Sequence, residues 1–225
     1  MSRILLIVSI VTIFILIATT LMPIRVSKGV TLAKSNVHEN VYPLLRSVRG
    51  DTAKSKEKEL VIFDFPKTSN LNQWRSINDT VMGGISGSQL QLTKEGNALF
   101  TGNVSLENNG GFASVQSVSS FYNLQGFDGI AIRVKGDGKR YKLSLKNSAY
   151  MGSPRYQAVF NTEKGAWTTI RLPFRSLIPT MHGRILENEP PIDISKILSF
   201  VLLISDKQEG SFLLEIDWIK AYRIE

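Results

Sequence analysis

From residue 60 onward, apolar and polar residues alternate with a period of two, and no other pattern in the chain restricts its fold as strongly. "GIAIRVK" sets Ile130, Ile132 and Val134 on one face and Ala131, Arg133 and Lys135 on the other. "YKLSLK" opposes Tyr141, Leu143 and Leu145 to Lys142, Ser144 and Lys146 in the same way. Successive side chains of a strand point to opposite faces, so both runs predict half-buried antiparallel strands. The intervening "GDGKR" is rich in turn formers and predicts a hairpin between them. Further strands are predicted at "LVIFDF", "SQLQLT", "ALFTGNVSLE", "FASVQS", "RYQAVF", "WTTIRLPF", "ILSFVLLI" and "SFLLEIDWIKAY". "SFVLLI" is apolar on both faces and predicts a central strand, while "IDISKI" predicts one helical turn capped by Asp193. No stretch of helical period separates these runs. Many short strands with frequent turn signals predict an all-β chain, a sandwich or jelly roll forming one domain over 60–225.

Composition removes several chemistries. The chain has no cysteine, which excludes disulfides, thiol nucleophiles and cysteine-ligated metals. Its two histidines, His38 and His182, are too few for a three-histidine metal site. "GDGKRY" begins like a dinucleotide fingerprint but has Tyr141 at the third glycine position and leads into a strand, so no helix end faces a pyrophosphate. Phosphate-loop, nucleophile-elbow and zinc-protease patterns are missing. Among Asp64, Asp79, Glu107, Asp128, Glu187, Glu189, Asp193, Glu215 and Asp217, spacing singles out no facing pair of the kind glycosidases need. The expectation is a protein that is not an enzyme and holds no cofactor and no metal.

At the other end, Ile4 to Met22 run without a charge, glycine or proline. As a helix that stretch would reach about 28 Å, close to the hydrocarbon thickness of a bilayer. It exceeds the usual apolar core of a signal peptide, and Ala18-Thr19-Thr20 is a poor cleavage site. A single N-terminal transmembrane anchor over 1–23 is therefore expected, with a signal sequence as the alternative, followed by a polar linker over 24–59. The net charge of +8 divides unevenly: residues 1–59 hold nine Lys/Arg against four Asp/Glu, and 60–225 hold eighteen against fifteen. The excess flanks the apolar run, which suits a membrane surface better than nucleic acid. Arg25, Lys28 and Lys34 after the span, against Arg3 before it, place the β-domain on the cytoplasmic or stromal side.

Two loops break the strand pattern in a shared way. "NDTVMGGIS" and "ENNGGFASV" each carry polar turn residues, a glycine pair and then an apolar residue. Paired glycines permit positive φ and close backbone approach, which predicts tight, ordered loops packed side by side at one edge of the sandwich. Asn78, Asp79 and Asn109 are expected to bond backbone amides around Gly83-Gly84 and Gly110-Gly111. Met82 and Phe112 either present an apolar surface to a protein partner or plug the end of the core.

In order along the chain, "WRSINDTVMGGISGSQL", "ALFTGNVSLENNGGFASVQS", "GFDGIAIRVKGDGKRYKLSL", "YQAVF", "TTIRLPF" and "LLEIDWIKAY" resemble the complex I intermediate-associated protein 30 family. The resemblance covers about Val61 to Tyr222 and implies a galactose-binding-type jelly roll. It also implies an assembly factor for a membrane complex, respiratory or photosynthetic, whose partners are subunits or intermediates of that complex. No catalytic residues come with it. The N-terminal span departs from the mitochondrial members, which carry a transit peptide. A second function stays open: a carbohydrate-binding module outside the cytoplasm, with Tyr150, Tyr156 and Trp167 as sugar-stacking rings and Asn78 and Asn103 as glycosylation acceptors. Nucleic-acid or lipid binding by Arg133, Lys135, Lys139, Arg140, Lys142 and Lys146 ranks below both, because a solvated face explains the same residues.

Overall fold

The computed structural model describes residues 58–150 and 152–224. The anchor expected over 4–22 and nearly all of the linker lie outside the described residues, among which no helix is long and apolar enough to cross a membrane. The strands, numbered in chain order, form two antiparallel sheets. The six-stranded sheet has the order β3 (Gly87–Leu92), β4 (Ala98–Val104), β13 (Gly210–Arg223), β6 (Gly129–Gly136) and β9 (Trp167–Pro173), with β1 (Lys58–Asp64) also on β13. The seven-stranded sheet has the order β11 (Arg184–Ile185), β10 (Ile178–Met181), β8 (Arg155–Asn161), β7 (Arg140–Lys146), β12 (Ser199–Ile204), β5 (Ala113–Ser117) and β2 (Trp74–Ser76).

The period-two pattern buries one face of each sheet against the other. Ile130, Ile132 and Val134 of β6, with Leu214, Ile216 and Ile219 of β13, meet Leu143 and Leu145 of β7 and Phe200 and Leu202 of β12 in one core. Rings fix the packing at two places: Phe63 stands edge-on to Phe200 at 5.3 Å, and Phe100 tilts onto Phe212 at 4.8 Å. β12 lies between β7 and β5, as its two apolar faces predict. The turn Ile194–Lys196 is capped by Asp193, whose carboxylate accepts from the Ser195 amide.

One expectation fails. The runs around "GDGKR" do not form a hairpin: β6 pairs with β13 and β9, whereas β7 pairs with β12 and β8 in the other sheet. The segment between them is a crossover held by Asp137. Its carboxylate accepts from the amides of Lys139 and Leu213 and from the Tyr141 hydroxyl, each at 3.0 Å. Alternation identifies a strand but not its partner, and the turn residues of a crossover are those of a hairpin.

Candidate functional site

The two unusual loops are the crossovers at one end of the sandwich. The first leaves β2 in the seven-stranded sheet and enters β3 in the six-stranded one; the second leaves β4 and returns through β5. Each makes a single 3-10 turn, Asp79–Met82 in the first and Glu107–Asn109 in the second. Asn78 ties the sheets together at their base, its Oδ1 accepting from the Ser114 amide at 3.1 Å and the Ser88 hydroxyl at 2.7 Å.

Asp79 joins the loops. Its side chain is fully buried and accepts from the amides of Ser86 at 2.9 Å, Gly111 at 2.7 Å and Phe112 at 3.2 Å, and from the Ser86 hydroxyl. Burial alone would push this carboxyl's pKa up, but the bonds from the Ser86 hydroxyl and the three amides outweigh it and hold the group below its ordinary range. The glycine pairs divide the work between turning and making room. Gly83 and Gly111 turn the chain at φ 92 and φ 135. Gly84 and Gly110 make space, since a Cβ would lie 2.5 Å from the Asp79 carboxyl carbon at the first and 2.7 Å from its Oδ2 at the second. Asn109 behaves otherwise than expected: it is exposed and left-handed at φ 60, and among the described residues its side chain makes no hydrogen bond.

Clamped from within, the loops turn apolar side chains outward. Met82 is 61% exposed, Val81 73% and Ile85 55%, so the first loop does not plug the core. Leu106, on the second loop, lies over Gly111, and Phe112 is half-buried. Sequence reading singled out Met82 and Phe112 but missed Val81, Ile85 and Leu106, for which exposed apolar residues next to turn glycines were the available signal. It also missed Ser86, which neighbours Asp79 only once the loop has closed.

Other candidates are occupied differently. Tyr156 is buried, with its hydroxyl donating to the Pro190 carbonyl at 3.0 Å. Arg133 and Lys135 stand over the Trp167 ring at 5.5 Å and 5.0 Å, and Tyr150 alone of the three proposed sugar-stacking rings is open to solvent. Asn78 is committed to the sheet junction, whereas Asn103 is exposed. The basic residues expected on one hairpin are split between two sheets, and four of the six are in ion pairs: Arg133 with Asp217 at 3.1 Å, Lys135 with Glu215 at 2.5 Å, and Lys142 and Arg140 with Asp206 at 2.6 Å and 3.3 Å. Lys139 donates to the Ser211 carbonyl at 2.7 Å. His182 sits in the exposed turn between β10 and β11. Among the described residues no group of three or more His, Asp or Glu side chains could hold a metal ion.

The two antiparallel sheets form an all-β sandwich similar to the jelly rolls of carbohydrate-binding modules. Its fold is similar to that of the family 11 carbohydrate-binding module of a Clostridium thermocellum cellulosomal cellulase (TM-score 0.55, 17% identity), over 73% of this chain and 94% of that one. A family model, complex I intermediate-associated protein 30, matches residues 63–216, and the chain belongs to that family. Mouse mitochondrial complex I intermediate-associated protein 30 is 26% identical over an alignment of 186 residues that covers 74% of this chain and 57% of that protein. The probable complex I intermediate-associated protein 30 of Caenorhabditis elegans mitochondria is 25% identical over an alignment of 185 residues that covers 72% of this chain and 54% of that protein. The chain thus spans little more than half the length of these relatives.

Proposed function

We propose that this protein is a non-catalytic assembly factor that holds a subunit or intermediate of a membrane protein complex on its crossover loops. The reading rests on one observation: Asp79 fixes the loops from inside while Val81, Met82 and Ile85 face solvent. Pre-ordered apolar side chains lose little entropy when a partner covers them, and an adaptable methionine suits a protein surface. The platform comprises Asn78, Asp79, Gly83, Gly84, Gly110 and Gly111 as its frame and Met82, Phe112 and the exposed Asn109, with Val81, Ile85 and Leu106, as its surface. Family membership supports the role, since the mitochondrial relatives are named for association with complex I intermediates. A span over 4–22 would tether the domain to the membrane holding the client, with the sandwich on the cytoplasmic or stromal side.

The test is Met82→Gln. The domain is expected to keep its melting temperature and to lose most of the membrane-complex subunits that co-purify with the tagged protein. Undiminished recovery of those subunits refutes the platform. A large fall in melting temperature assigns Met82 to folding instead.

A further inference from the structure

The outer face of the seven-stranded sheet carries three cations that the loop platform does not use. Arg75 alternates with buried Trp74 on β2, Lys146 follows core residue Leu145 on β7, and Arg155 precedes buried Tyr156 on β8. All three therefore point away from the core. Leu145 pairs with Tyr156, so Lys146 and Arg155 come next in the same register, and Lys146 also lies opposite Ser199. Arg75 pairs with Gln116, and Gln116 with Val201.

Between them lies a mostly polar floor. Gln116, Ser144, Ser199 and Val201 are each at most 4% exposed, although they face away from the inter-sheet core. Gln116 Nε2 donates to Ser199 Oγ at 3.5 Å. The sequences of β2, β5, β12, β7 and β8 contain no aspartate or glutamate. Cations elsewhere on the strands find carboxylates, such as Lys135 with Glu215 and Lys220 with Glu59, but among the described residues this trio makes no ion pair. Burial, then repulsion from Arg155 and Arg75, holds the Lys146 ammonium below its usual pKa, and burial does the same to the Arg155 guanidinium.

We propose that Arg75, Lys146 and Arg155 form a binding site for a phosphate monoester on the outer face of this sheet. Three positive charges around one carboxylate would leave two uncompensated, whereas a phosphate monoester carries about −1.5 to −2 at neutral pH and offers three acceptor oxygens. Two guanidinium forks and one ammonium supply donors suited to those oxygens. The outward positions of β2, β5, β12, β7 and β8 hold no aromatic ring, which removes the stacking platform that single-stranded nucleic acid uses. The site is independent of the loop platform and stands or falls separately.

The experiment titrates the full chain with inorganic phosphate, glycerol 3-phosphate and succinate at constant ionic strength, following melting temperature and calorimetric heat. Saturable binding of both phosphates, tighter than that of succinate, is expected to raise the melting temperature. Lys146→Gln with Arg155→Gln is expected to weaken that binding at least about tenfold, and exposed Arg75→Gln provides a second variant that spares the sheet interior. Lys220→Gln, a paired cation on the other sheet, should leave the response unchanged. In phosphate-free buffer Lys146→Gln should melt no lower than the parent, because it relieves repulsion. A flat titration, succinate binding as tightly as phosphate, or a response that survives all three substitutions overturns the proposal. So does RNA binding with steep salt dependence that these substitutions abolish, or a large melting-temperature fall in Lys146→Gln.

Discussion

Asp79 holds the crossover loops together through a carboxylate that no water reaches. Asparagine has nearly the same shape, but it brings an amide donor toward groups that are themselves donors and removes the charge that strengthens four bonds. Asp79→Asn is expected to cost about 3 kcal/mol at neutral pH, read by urea denaturation. The pH dependence follows from the direction of the shift. A carboxyl whose folded pKa lies below its unfolded value near 3.8 contributes its full stability above that value and loses it as pH falls through the lower folded one. The gap between parent and variant should therefore be widest at neutral pH and shrink below about pH 4. The sequence marked both loops as special through their glycine pairs. It could not divide the glycines into those that turn and those that make room, because Gly110 and Asp79 meet only in three dimensions.

Among the elements, the crossover from β6 to β7 decides which sheet each strand joins, and Asp137 is its keystone. Truncation by Asp137→Ala strips partners from two backbone amides and from the hydroxyl of Tyr141, a residue only 1% exposed. We expect a loss of about 2–3 kcal/mol, seen as a lower melting temperature. The measurement discriminates, since a simple surface hairpin would tolerate the same change with little effect. Every described strand of five residues or more was legible, because alternation survives whatever the partner is. Of the short strands, β2 falls within the strand-like run "QWRSI", whereas β10 and β11 were not predicted: a few residues cannot establish a period, and Pro179 within β10 reads as a loop. Pairing was hidden for the same reason that misled the hairpin reading. The cationic trio was hidden more deeply, since Arg75, Lys146 and Arg155 come from three strands that only the register brings together.

For the whole molecule, the apolar run at 4–22 carries the expectation of tethering. The full-length protein should remain in the membrane pellet after carbonate washing and retain its initial residues. A soluble form whose amino-terminal sequence begins near Thr20 or Leu21 would mark that run as a removed signal. The order in which the chain is made matters at this scale too. β13, residues Gly210–Arg223, is the strand on which β1, β4 and β6 all pair, yet it is the last of the strands described. A ribosome delivers β1, β4 and β6 long before the strand that joins them. Until residue 210 has emerged they are held as open edges, which draw other chains, and the six-stranded sheet cannot close. A protein proposed to look after the unfinished parts of others thus passes most of its own synthesis in the same unfinished condition.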